Sequence, residues 1–138
     1  MKRILILCTG NSARSQMAEG IMRSLSDGKL EIFSAGTKPA DKVHPMAIEV
    51  MKEIGIDIST HHPKSVDQFL DESFDLVITV CDSANESCPF FSGDVKQRIH
   101  MGFEDPAAVV GDKEVILASF RSVRDQINEA IQNFITDL

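Results

Sequence analysis

The chain has 138 residues, 43% apolar and 25% charged, which suits one globular domain with its own core and excludes a disordered chain. A formal net charge of −7 argues against a general nucleic-acid-binding surface, so any anionic ligand must be held by local features. No stretch reaches the length of a membrane span, and Met1-Lys2-Arg3 opens an apolar run too short for a signal peptide. The expected home is therefore the cytoplasm, where thiols stay reduced and three cysteines do not make a structural disulfide framework.

The apolar run at 3–7 predicts a first strand. Residues 15–25 follow as a helix, with Met17, Ala18, Ile21, Met22 and Leu25 at helical spacing. Residues 30–34 read as a second strand, closed by Ala35-Gly36. A second helix is expected over 45–54. Pro45 suits its first turn, Ala47, Val50, Met51 and Ile54 share a face, and Gly55 ends it. A short helix is expected over 65–70. Residues 74–80 form a strongly apolar third strand, buried on both faces if the sheet is parallel, and 96–101 a weaker fourth. The last helix spans 114–135. The stripe Ile116, Phe120, Val123, Ile127, Ile131, Phe134 and Leu138 is read as core packing. Strands alternate with helices throughout. The predicted fold is α/β: a single domain over 1–138, with a four-stranded parallel sheet flanked by helices.

The junction between the first strand and helix reads Cys8-Thr9-Gly10-Asn11-Ser12-Ala13-Arg14-Ser15. A cysteine, five residues and an arginine at a strand-to-helix turn can form an oxyanion trap with a nucleophile at its base. Loop N–H groups can point inward as a nest, and the helix N-terminus adds partial positive charge. Arg14 offers a planar fork to two oxygens of a tetrahedral anion, and the same field favours the Cys8 thiolate. Gly10 and Asn11 are the positions where a positive φ would be tolerated.

Cys81 follows the third strand as Cys8 follows the first. Parallel strands end on one edge, where open α/β sheets bind ligands, so the two thiols are placed within reach of each other. Cys88 lies seven residues further on, in the polar stretch Asp82-Ser83-Ala84-Asn85-Glu86-Ser87. Gly102-Phe103-Glu104-Asp105-Pro106 falls on the same edge, and Asp105, before a proline, is held extended.

These segments, together with Gln16-Met17-Ala18-Glu19-Gly20 and Ser34-Ala35-Gly36, resemble the thioredoxin-coupled arsenate reductases of the low-molecular-weight protein tyrosine phosphatase fold. The resemblance covers nearly the whole chain. The Cys81/Cys88 pair is its specific part. Phosphatases of this fold place tyrosines just after the Asp-Pro, whereas Ala107-Ala108 follow here and the chain has no Tyr. The resemblance implies reduction of arsenate to arsenite, with phosphate or sulfate as mimics. Arsenate would bind through the backbone of Thr9, Gly10, Asn11, Ser12 and Ala13 and through Arg14. Cys8 would be the nucleophile, Ser15 a hydrogen-bond donor to its thiolate, and Asp105 the general acid. Cys81 and then Cys88 would take over the oxidation as a shuttle disulfide, regenerated by thioredoxin. A monomer is implied, with no tightly bound cofactor, no metal, and no nucleic-acid or membrane partner.

The chain departs from that family's pattern in two places. Met101 stands where relatives often carry Trp. Some members bind a potassium ion near the loop; Asn11 and Glu19 match two of its ligands, while Lys64 falls near the position of the third, so its ammonium could replace the ion. His61-His62 is a weak metal signal. Two other readings stay open: a phosphomonoesterase using Cys8, Arg14 and Asp105, and a non-enzymatic metalloid regulator using Cys8, Cys81 and Cys88 as soft ligands.

Overall fold

The computed structural model describes residues 1–82 and 89–136. Its sheet is built from β1 (Lys2–Cys8), β2 (Leu30–Gly36), β3 (Phe74–Thr79) and β4 (Val95–His100), in the order β2-β1-β3-β4, with every neighbouring pair parallel. Three helices accompany it among the described residues: α1 (Arg14–Ser26), α2 (Pro45–Glu53) and α3 (Lys113–Ile135). Ile4, Leu5, Ile6 and Leu7 of the central β1 are fully buried, as an apolar run covered on both faces must be. β4 is the weaker strand expected at an edge, with most of its residues exposed.

α1 and α3 lie over the face carrying Ile6, Ile78 and Val80. α1 is buried almost all round over its first two turns, from Ser15 to Met22. That explains why its apolar spacing understates its burial. Arg3 stacks over both Phe33 and Phe74, which join Phe69 and Phe91 in an aromatic cluster at the other end of the strands.

Element limits differ from expectation by small steps with identifiable causes. β1 continues to Cys8 because it pairs with Gly36 across a β2 that is two residues longer than expected. Leu25, expected in the core, is half exposed, and Ser26 is buried beyond it. Ile54 caps α2 rather than joining its buried face, and is likewise exposed. The short helix before β3 is a 3₁₀ turn, Val66–Phe69, capped by the Ser65 hydroxyl. In α3, Phe120, Val123, Ile127 and Ile131 are buried as expected, Leu117 joins them, and Ile116 and Phe134 are only partly covered. Leu138 and Cys88 lie outside the described residues.

Candidate active site

Cys8 is the last residue of β1, and the segment 9–13 turns from it into α1. The outer side of this loop is fixed by its carbonyls. Those of Cys8, Thr9, Gly10 and Ser12 accept from the N–H groups of Thr37, Lys38, Ala40 and His44 at 2.8–3.1 Å. With its carbonyls turned outward, the loop leaves its N–H groups for the side facing Cys8. Ala13 gives α1 no side-chain cap, so the helix N-terminus also keeps its donors for that side. The positive φ falls on Asn11, at 51°, and not on Gly10. Asn tolerates this region because its short amide bonds locally.

The Asn11 amide is fully buried and uses every hydrogen-bonding position in reach. Nδ2 donates to Ser15 Oγ at 2.8 Å and Ser34 Oγ at 3.0 Å, and Oδ1 accepts from the Lys64 N–H at 2.9 Å. Gln16 Nε2 adds bonds to Oδ1 and to the Asn11 carbonyl, both at 3.2 Å, and reaches the His62 carbonyl at 3.1 Å. Gln16 is a bracing residue that sequence reasoning passed over, since it sits among the motif residues of an apolar helix. Gly36 is another. A Cβ there would stand 2.4 Å from the Thr9 carbonyl oxygen, so only glycine lets β2 and the loop approach this closely.

Ser15 is fully buried and accepts the Asn11 amide proton. The expected donation from Ser15 to Cys8 is not among the contacts of the described residues. Arg14 donates to the Phe103 carbonyl at 3.1 Å and lies 3.8 Å from Asp105 Oδ2, so the loop arginine and the Asp-Pro carboxylate face each other across the strand-end edge. Asp105 is extended, caps the short turn Pro106–Ala108 through the Ala107 N–H, and is partly open to solvent.

Cys8 and Cys81 are both buried. Cys81 Sγ lies 3.4 Å from Thr9 Oγ1, close enough to Cys8 for the two thiols to influence each other's ionisation. That neighbour pushes the Cys8 thiol up, and burial adds to it. Arg14 and the Thr9 backbone pull it down. The expectation of a thiolate favoured by its loop therefore meets an opposing effect: two neighbouring thiols cannot both ionise easily. The sequence places Cys81 on the same edge but does not show how the neighbouring thiol acts on Cys8.

Behind the loop, Ser34 Oγ donates to Glu19 Oε1 at 2.7 Å. Buried Glu19 also faces Arg23 Nε and His61 Nδ1, both at 3.4 Å, and Lys64 Nζ at 4.0 Å. His61 is further tied to Gln16 Oε1 at 3.0 Å. Burial lowers Lys64, against the pull of Glu19. Among the described residues, no group of three or more His, Cys, Asp or Glu converges as a metal site, and no helix is long and apolar enough to cross a membrane.

Residues 3–138 match the family described as low molecular weight phosphotyrosine protein phosphatase. The chain belongs to that family. It is 46% identical over 133 residues to an arsenate reductase of Halalkalibacterium halodurans, covering 96% of this chain and 94% of the relative. Among solved structures, an arsenate reductase in the oxidized state superposes with a TM-score of 0.84 at 34% identity, covering 99% and 98% of the two chains. An arsenate reductase in the phosphate binding state superposes at 0.83, with the same identity and coverage. The four-stranded parallel sheet with its flanking helices is that family's fold.

Proposed function

We propose that this protein reduces arsenate to arsenite through a three-cysteine relay that thioredoxin regenerates. The observation that carries the reading is the second thiol: Cys81 Sγ lies 3.4 Å from Thr9 Oγ1, the residue next to Cys8, at the base of a loop suited to an anion, where a phosphatase needs only one nucleophile. The similarity to arsenate reductases supports it.

Arsenate, a tetrahedral anion, binds to the loop N–H groups, the α1 N-terminus and the Arg14 fork. The Cys8 thiolate attacks arsenic, forming a sulfur–arsenic bond. An arsenic-bound oxygen leaves as water, taking its proton from Asp105. Cys81 then attacks Cys8 Sγ. The disulfide forms, the sulfur–arsenic bond breaks, its electron pair stays on arsenic, and arsenite departs. Cys88 attacks Cys81, giving Cys81–Cys88 and returning Cys8 as a thiolate; the thioredoxin dithiol reduces the remaining bond. Asn11 and Gln16 hold the loop in register throughout.

Lys64 fits the role of a built-in cation at Glu19, since the carboxylate is already faced by Lys64, Arg23 and His61, and no ion is needed to balance it. The protein acts as a cytoplasmic monomer. The test is arsenate-dependent consumption of reduced thioredoxin by wild type and by Cys8→Ser, Cys81→Ser and Cys88→Ser. All three variants are expected to lose turnover. Wild-type turnover by either Cys81→Ser or Cys88→Ser would remove the relay, and hydrolysis of an aryl phosphate without arsenate reduction would favour the phosphomonoesterase.

A further inference from the structure

His100 ends β4 with both ring nitrogens engaged: Nδ1 lies 2.8 Å from Thr79 Oγ1 and Nε2 2.9 Å from Asp82 Oδ1. Thr79 is the buried last residue of β3, and Asp82 directly follows Cys81 and is largely exposed. The imidazole therefore bridges the two sides of Cys81, one contact on each flank.

The chain beyond β4 makes room for this bridge. The Met101 N–H donates to the Thr79 carbonyl at 2.8 Å and the Phe103 N–H to the Val80 carbonyl at 3.1 Å, so residues 101–103 run alongside 79–80. A Cβ at Gly102 would stand 3.0 Å from His100 Nε2 and 3.2 Å from Asp82 Oδ1, closer than ordinary contact, and glycine there keeps the pair intact. Phe103 in turn accepts the Arg14 guanidinium. The bridge sits where the segment bearing Cys81 meets the strand leading to Asp105.

Cys81 meanwhile holds its sulfur 3.4 Å from Thr9 Oγ1, on the residue next to Cys8. One peptide bond separates Cys81 from Asp82. A backbone movement that carries Cys81 away from Cys8 therefore also carries Asp82 away from His100.

We propose that the Asp82–His100 pair is a latch that holds Cys81 in its Cys8-facing register and opens when Cys81 passes its disulfide to Cys88, which makes His100 a positioning residue of the relay. The proposal rests on the relay reading above. In the step it governs, the Cys88 thiolate attacks Cys81 Sγ, the new disulfide forms, and the Cys8–Cys81 bond breaks with Cys8 leaving as thiolate. The latch exchanges no atoms. A contact present before that step and absent after it opposes the step, so its removal favours the Cys81–Cys88 disulfide. Asp82 is exposed, so the contact is a weak one and the expected effect is about two- to five-fold in the dithiol–disulfide equilibrium.

The test uses Asp82→Asn, His100→Asn and the double variant of the full-length protein. Asn at 100 keeps a polar group near the Nδ1 position for Thr79 while losing the reach to Asp82. Each protein is equilibrated in dithiothreitol buffers of graded redox poise, its thiols are trapped, and the Cys81–Cys88 peptide is quantified by mass spectrometry. Phosphate affinity, measured by calorimetry, serves as the control for the loop and should match wild type in all three. Both single variants are expected to shift toward the disulfide by a similar factor, with no further shift in the double variant. An unchanged equilibrium, or independent effects that multiply in the double variant, would overturn the latch while leaving the relay standing. A wild-type protein that forms no Cys81–Cys88 peptide at any poise would overturn the relay, and the latch with it.

Discussion

Cys81 Sγ sits 3.4 Å from Thr9 Oγ1, the first residue of the anion loop, so the second thiol of the site is held by the loop that would hold the substrate. Register explains this placement. β1 and β3 are adjacent and parallel, with Leu7 opposite Thr79, and each strand delivers its cysteine at the same edge.

This placement bears on the reactivity of Cys8. The neighbouring Cys81 thiol is the largest influence raising the Cys8 thiol, ahead of burial, while Arg14 and the Thr9 backbone lower it. Removing the Cys81 sulfur removes that raising influence and leaves the lowering ones. Cys81→Ala is therefore expected to move the pH profile of Cys8 alkylation by iodoacetamide to lower pH and to speed alkylation near neutrality. An unmoved profile would show that Cys81 does not govern the Cys8 thiol.

Asn11 combines a left-handed backbone with a buried amide bonded to Ser15, Ser34, Lys64 and Gln16. Asn11→Gly keeps the backbone freedom and loses the amide, and Asn11→Ala loses both. Each buried partner left unsatisfied costs about 1–3 kcal/mol. Both variants should weaken phosphate binding and lower the urea midpoint, with Ala below Gly. Equal midpoints would remove backbone strain from the account.

Gly36→Ala places a methyl group 2.4 Å from the Thr9 carbonyl oxygen. β2 is held by β1 along its length, so the loop must yield. Phosphate affinity, measured by calorimetry, is expected to fall more than tenfold while the far-ultraviolet circular dichroism stays that of the folded sheet. Wild-type affinity would mean that the loop tolerates the displacement.

Asp105→Asn retains an oxygen to cap Ala107 but loses the transferable proton. The single-turnover rate of arsenate attack should fall by roughly 10²–10⁴, the usual contribution of a general acid, with phosphate affinity nearly kept. An unchanged rate would take Asp105 out of the chemistry.

Lys64 stands 4.0 Å from Glu19 as the proposed internal cation. Wild-type stability should be indifferent to exchanging potassium for a bulky organic cation at constant ionic strength. Lys64→Ala should become potassium-dependent in its thermal midpoint. Potassium dependence of wild type, or its absence in the variant, would contradict the assignment.

Much of this site is legible in the sequence because it is built from local segments. The spacing from Cys8 to Arg14 names the loop, and the strand alternation places Cys81 and Asp105 on its edge. What is not legible is long-range. Lys64 reaches Asn11 with its backbone N–H, which no side-chain pattern reveals. Gly36 reads as a strand terminator until the Thr9 carbonyl is seen against it. Leu25 fits the helical spacing of α1 yet is exposed, because in the last turn it is Ser26 that takes the buried position. The neighbouring Cys81 thiol opposes the effect of the loop on Cys8 acidity, which the loop sequence alone does not reveal.

The relay is tested most directly by a single turnover of Cys88→Ser with one equivalent of arsenate and no thioredoxin. The expected result is one arsenite released per enzyme, with Cys8 and Cys81 recovered in a single disulfide-linked peptide because the final acceptor is missing. Release of no arsenite, or release with Cys8 and Cys81 both still alkylatable as thiols, would contradict a mechanism in which these two sulfurs supply the electrons.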